Sequence, residues 1–405
     1  MSSSRTRASA RRRPAARYNS RFIRLLIITL VVGIGLGLLV GSLIWGRTSS
    51  ASGSTAQAGQ TGAEDGPGTG GQPYAGDGSD AAGGYEVSAG STDTPLASLD
   101  PEEASARAAA LKANEMGLIP VLEYHCIQDD VPEDDLHRST ANFRADIERL
   151  KQAGFYPINV RDMAAGRIDV PAGKSPVVLT FDDSSPGQFR LLDDGTIDPD
   201  CAVGIMQAAV EDGDWAPRAS FFPLLYVDPE DYILWGQKGR EEEKLTTLVS
   251  LGYEIGSHTR THADLKAAPL EACYEELGRS QFMLEDMIGS GYRVTTLSVP
   301  FGSYPANESI LVRGSYEGRT YRYEAALEAF GGPNPSPFAG RFDPTHIKRI
   351  PVYGNALDEM LSYFERHLED RFISDGDPSF ISIPQQLPES LGALGETYGL
   401  PVITY

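Results

Sequence analysis

Between Ile119 and Ile383 apolar residues recur in short runs: Ile119–Leu122, Val177–Phe181, Ala219–Phe222, Tyr253–Gly256, Val294–Val299, Ile347–Val352 and Phe380–Ile383. Each run is of strand length and almost continuously apolar, as in strands covered on both faces. The stretches between them change period. In Asn142–Ala153, Phe143, Ile147 and Leu150 fall on one helical face, and Leu270–Met287 reads the same way. Alternation of strand and helix predicts an α/β domain with a parallel sheet. Seven or so repeats of the unit favour a (β/α) barrel over an open sheet.

Upstream the pattern is different. Leu25–Gly46 carries no charge and is dominated by Leu, Ile, Val and Gly. That is roughly 22 residues, enough to cross a ~30 Å hydrocarbon core as a helix. An Arg-rich segment, residues 1–24, precedes it, which keeps that side cytoplasmic and sends the C-terminal bulk outside. The run is long for a cleaved signal, and no Ala-x-Ala site follows it. The expectation is a single-pass signal anchor at residues 25–46 in the cell membrane. Residues 47–100 are rich in Gly, Ser, Ala and Thr with few large apolar side chains, a flexible tether by composition. Residues 101–405 form the remaining domain, opening with a helical pattern over Pro101–Met116.

Charge sharpens the division. Nine arginines lie in the first 47 residues with no acid among them, leaving 26 basic against 56 acidic residues beyond, about −30. Such a surface repels nucleic acid and argues against a DNA or RNA partner; no protein partner can be inferred. Cys126, Cys201 and Cys273 show no paired spacing, too few for a disulfide framework or a zinc ribbon.

Candidate chemistry gathers where the strands end. Val177–Phe181 runs into Asp182-Asp183, Tyr253–Gly256 into Ser257-His258 with His262 four residues on, and Ile119–Leu122 into Glu123-Tyr124-His125. In an α/β barrel those ends converge on the face where active sites are built. A lone Asp after a strand is often only a helix cap, and a lone His pair is often a solvated face. Adjacent Asp182 and Asp183 serve one site only if the strand ends between them, since strand neighbours point to opposite faces. Three of six histidines and an Asp pair at such ends are hard to attribute to packing.

These residues carry a resemblance. Thr180-Phe181-Asp182-Asp183, then Gly252–His262, then Pro300-Phe301-Gly302 resemble successive motifs of the NodB-homology polysaccharide deacetylases, carbohydrate esterase family 4. Pro120–His125 resembles the start of the poly-N-acetylglucosamine deacetylase branch. The resemblance implies a distorted (β/α) barrel and a metal-dependent hydrolase that removes N-acetyl groups from an extracellular or cell-wall polysaccharide. Asp183, His258 and His262 would then bind a divalent cation, zinc first by ligand type. Asp182 would be the general base, the backbone N–H of Phe301 an oxyanion donor, and His125 the general acid.

The sequence departs from the family in three places. Ser298-Val299-Pro300-Phe301 stands where an Arg usually precedes Pro-Tyr, and Arg349 is the candidate replacement. Phe380–Pro384 stands where a Leu-x-His is usual, and Ser184 replaces a Gly and opens a polar insertion to about Asp200. Asp193, Asp194, Asp198 and Asp200 within it read as a solvated face. Two alternatives remain open at this level: an O-acetyl esterase acting on a polysaccharide, and an inactive glycan-binding pseudoenzyme.

Overall fold

A computed structural model describes residues 100–405 apart from 212, 226–232 and 290. The expected tail at 1–24, the anchor at 25–46 and all but the last residue of the tether at 47–100 lie outside the described residues. Among the described residues no helix is long and apolar enough to cross a membrane.

The fold is α/β. The strands that build its barrel are β1 (Val121–Tyr124), β2 (Phe155–Ile158), β3 (Ser175–Asp182), β4 (Ser220–Phe222), β5 (Glu254–Ile255), β6 (Thr296–Ser298), β7 (Ala325–Leu327) and β8 (Ile350–Pro351). The main sheet runs β8-β1-β3-β4-β5, with β2 paired to the same edge of β3 ahead of β4. A second pair joins β6 to β7. Parallel bridges Ser257–Leu297 and Leu327–Ile347 connect the two and close a ring. Every pairing in that ring is parallel.

Helices wrap the outside: α1 (Pro101–Leu111), α2 (Thr140–Gln152), α3 (Ala202–Glu211), α4 (Glu241–Ser250), α5 (Leu270–Ile288) and α6 (Ala356–Arg366). Each presents an apolar stripe, as with buried Phe143, Ile147 and Leu150 on α2. Ser139 caps α2 by accepting from the Asn142 N–H at 3.3 Å, and Asp100 caps α1 from the Glu102 N–H at 3.3 Å. The helix forecast over Pro101–Met116 stops at Leu111, where Lys112 turns left-handed.

Strand parity sorts the side chains. Leu122, Val177, Leu179, Phe181, Phe221 and Leu297 join the helices in one buried cluster, whereas Val121, Val178, Phe222, Ala325, Leu327 and Ile347 belong to a second, inner one. Positions two apart share a face. Asp182 therefore follows Val178 and Thr180 inward, Glu123 follows Val121, and Arg349 follows Ile347. All are buried.

Phe380–Ile383 is a strand at Ile381–Ile383 but stands apart, paired with Val402–Thr404. The ring leaves it no edge to join, because Ile347 already bridges Leu327 while β8 pairs β1. In the insertion, Asp198 is not solvated: it is buried against the Arg190 guanidinium. The three cysteines are free.

Candidate active site

β3 ends at Asp182, and the next two residues enter the left-handed region, Asp183 at φ 67° and Ser184 at φ 49°. That reversal brings Asp183 back to the side Asp182 faces, the condition under which both carboxylates serve one site. On the far side of β5, Thr259 (φ 60°) and His262 (φ 59°) bend the chain so that both imidazoles face Asp183. The Asp183 Oδ1 lies 3.4 Å from His258 Nε2 and 3.7 Å from His262 Nε2.

These three side chains fit a divalent cation. One ligand atom from each falls within 4.8 Å of the others. His258 Nδ1 lies 2.8 Å from the Ser298 carbonyl, and since a carbonyl only accepts, Nδ1 carries the proton there. Nε2 is left with its lone pair facing the carboxylates, the tautomer a metal needs.

Asp182 is held asymmetrically. Its Oδ2 accepts from Arg349 Nη1 at 2.9 Å and from the Ser298 hydroxyl at 2.8 Å. Its Oδ1 is buried and makes no hydrogen bond. Arg349 is itself fully engaged: Nη2 lies 2.8 Å from Glu123 Oε1, and Nε donates to the Glu328 carbonyl at 2.7 Å. Burial works to raise the Asp182 carboxyl, but the Arg349 guanidinium, with the imidazoles of His258 and His125 beside it, outweighs burial and holds the group below its ordinary range. For Glu123 burial wins over Arg349 and His125, so its carboxyl is raised. Burial also opposes ionisation of Asp183, yet the His258 and His262 imidazoles that face it lower it overall. Burial depresses His262 to about 4, so its imidazole is neutral at physiological pH.

His125 closes the cleft on the β1 side, with Nε2 3.8 Å from Glu123 Oε1 and a buried Nδ1 that makes no hydrogen bond. A ring nitrogen of His125 and carboxylate oxygens of Glu123 and Asp182 lie within 4.8 Å of one another. The insertion fixes its backbone: the His125 carbonyl accepts from Ser185 Oγ at 3.1 Å and from Gln188 Nε2 at 2.7 Å. Gly187 lets that loop lie flush, since an added Cβ would sit 1.7 Å from the Ile127 carbonyl oxygen. Phe301, at φ 58° in the turn after β6, packs its ring edge-on against His262 with centroids 4.5 Å apart.

The structure thus brings together Asp182, Asp183, His258, His262, His125, Phe301 and Arg349. Sequence reasoning had assigned no part to Glu123, the Ser298 hydroxyl, Gln188 or Glu328. For Glu123 the period-2 pattern was a usable signal, since it shares a parity with inward-facing Val121. Gln188 offered none.

A family model described as polysaccharide deacetylase matches residues 220–313, which include His258, His262, Ser298 and Phe301. A gellan lyase from a Bacillus species is 37% identical over 99 residues, covering 24% of this chain. That match spans 4% of the relative's own length. Among solved structures, a polysaccharide deacetylase from Bacillus cereus is 23% identical, covering 60% of this chain and 68% of that one with a TM-score of 0.45. The PplD deacetylase of Streptococcus pyogenes is 19% identical, covering 61% and 97% with a TM-score of 0.46. IcaB from Ammonifex degensii is 18% identical over 61% and 97%, at 0.42. The chain resembles the polysaccharide deacetylases, and the family match falls on the segment that carries both candidate histidine ligands.

Proposed function

We propose that this protein is a metal-dependent hydrolase that removes N-acetyl groups from an extracellular or cell-wall polysaccharide. The observation that carries the reading is the division of labour within Asp182. One oxygen, Oδ2, is pinned by Arg349 and Ser298 and lies 3.7 Å from His258 Nε2, while the other is buried and makes no hydrogen bond. A carboxylate that only supported the fold would have both oxygens satisfied.

Held by Asp183, His258 and His262, a divalent cation, zinc first by ligand type, would polarise the acetyl carbonyl and acidify water. The chain's own residues do the rest. Asp182 Oδ1 takes the proton as water attacks the acetyl carbon, and Arg349 and Ser298 keep the carboxylate ionised and aimed. The Phe301 N–H faces the charge that grows on the carbonyl oxygen. When the carbon–nitrogen bond breaks, the amine must leave protonated, and His125, paired with Glu123, gives that proton. Support for an external site comes from the uncharged Leu25–Gly46 run behind an Arg-rich segment.

The test is acetate release by the metal-loaded full chain from chito-oligosaccharides, peptidoglycan fragments and acetylated xylan, with Asp182→Asn alongside. Release from an amide substrate that needs both metal and Asp182 is the expected result. Release from xylan alone would make the protein an esterase, and bound metal with no release from any polymer would overturn the enzymatic reading.

A further inference from the structure

Beside the catalytic cleft a second recess opens, a cavity of about 260 Å³ lined by Gly302, Tyr304, Glu308, Glu328, Phe330 and His346. It touches the site at two points. Gly302 directly follows Phe301, whose ring rests on His262, and the carbonyl of Glu328 accepts from the guanidinium that grips Asp182. The recess is thus one guanidinium away from the proposed base.

Its polar groups form an unbalanced set. His346 lies between two carboxylates, with Nδ1 3.0 Å from Glu328 Oε1 and Nε2 3.1 Å from Glu308 Oε2. Both contacts are hydrogen bonds only when the ring is doubly protonated. Two carboxylates around one imidazolium still leave a net negative charge, and each glutamate keeps a second oxygen that bonds nothing among the described residues. Tyr304 stacks beneath His346 at 4.6 Å and 15° and donates to the Thr345 carbonyl at 2.9 Å, which fixes the floor. At the rim stands Phe330, 70% exposed, with an aromatic ring that buries little in the folded chain. Lys266 belongs to the adjoining cavity and forms no ion pair with Glu308 among the described residues.

We infer that this recess is a subsite for a cationic amino sugar, a unit of the glycan that has already lost its acetyl group. The inference rests on the deacetylase reading above and extends it. A neutral N-acetylated sugar could stack on Phe330 but would leave the carboxylates uncompensated. A sugar ammonium completes the Glu308–His346–Glu328 set while the ring packs on Phe330. The product of one turnover then helps to seat the neighbouring unit for the next, so acetyl groups are removed in runs rather than at random.

Two N-acetylglucosamine tetramers test this with the metal-loaded full chain, one fully acetylated and one carrying a single free amine at a defined position. Assayed while that amine is protonated, the amine-bearing tetramer whose free unit reaches the recess should show a KM roughly fivefold lower, the worth of one partly screened charge pair. Glu308→Gln should erase the difference and leave kcat on the fully acetylated tetramer unchanged; Phe330→Ala should raise KM for both. Equal KM values for every position of the free amine, or a preference that survives both Glu308→Gln and Glu328→Gln, would overturn the subsite. Calorimetry with glucosamine tetramer and Asp182→Asn separates the two claims, since it needs no turnover. Binding weakened about fivefold by Glu308→Gln, in line with that charge pair, supports the subsite even if no polymer yields acetate. Binding indifferent to the substitution overturns it even if acetate is released.

Discussion

Arg349 Nη1 donates to Asp182 Oδ2 at 2.9 Å across the inside of the barrel, from the strand segment that closes the ring to the strand at its centre. The same guanidinium holds Glu123 at 2.8 Å, so it balances two buried carboxylates at once. Arg349→Gln leaves both without a cation. Breaking a buried pair this way costs about 3–5 kcal/mol, and urea denaturation should show a loss of that size together with loss of turnover. Arg349→Lys keeps the charge but not the fork, and a fall in kcat of roughly tenfold with much of the stability retained is expected. Equal stability in wild type and Arg349→Gln would show that the pair holds nothing in place.

The base and the ligands should separate cleanly. Asp182→Asn is expected to lower kcat by about 10²–10⁴ while leaving metal binding intact, because Asp183, His258 and His262 are untouched. Zinc at 100 times its dissociation constant would stabilise the chain by about 2.7 kcal/mol. Thermal melting with and without zinc should show that shift in wild type and Asp182→Asn, and lose it in Asp183→Asn and His262→Ala. A shift that persists in both ligand variants would place the ion elsewhere.

Lys244 gives a pH signature of its own. Its ammonium is buried, donating to the carbonyls of Phe189 at 2.8 Å and Trp235 at 3.1 Å. Burial lowers its pKa from 10.5 to about 8. Between those values the unfolded chain binds a proton that the folded chain does not, so this residue makes stability rise with pH across the window. The cost of burying the charge is fully present below pH 8. Urea midpoints measured at either end of the window should show a smaller rise, or a fall, for Lys244→Met than for wild type. Identical pH slopes in the two proteins would exclude the effect.

Gly187 tests the insertion. An alanine there would press its Cβ into the Ile127 carbonyl, and backbone on backbone cannot give way as a flexible side chain can. Gly187→Ala should cost about 1–3 kcal/mol and displace the Ser185 and Gln188 contacts that hold the His125 carbonyl. Amide cleavage should therefore fall more than metal affinity. A fully active, equally stable variant would detach the loop from His125.

Much of this arrangement was legible along the chain, for identifiable reasons. Asp182, Asp183, His258 and His262 stood at the ends of apolar runs, and the strand ends did converge. Two strands of the ring escaped notice. Phe155–Ile158 contains Pro157, which argues against a central strand, and it is tolerated because β2 pairs only with β3. Ala325–Leu327 is three residues without a β-branched side chain, held as a strand by β6 and the bridge to Ile347. Arg349 was within reach because a missing arginine prompted a search for another. For Glu123 parity with Val121 gave the inward direction, but which residue it meets across the barrel depends on register. That register is a property of the closed ring and has no local trace in sequence.

The ring narrows to a single bridge at two joints, and at one of them β5, a two-residue strand, gives way to the bridge from Ser257 to Leu297. His258 follows directly on one side of that seam, and the carbonyl of Ser298 receives its imidazole proton from the other. The histidine is therefore a stitch across one of the barrel's two single-bridge joints. A slip of one residue there would hand Nδ1 a different carbonyl and turn Ser298 away from Asp182. Closure of the barrel and aim of the imidazole are consequently one variable, so substitutions that loosen the seam should blunt the site before they unfold the chain.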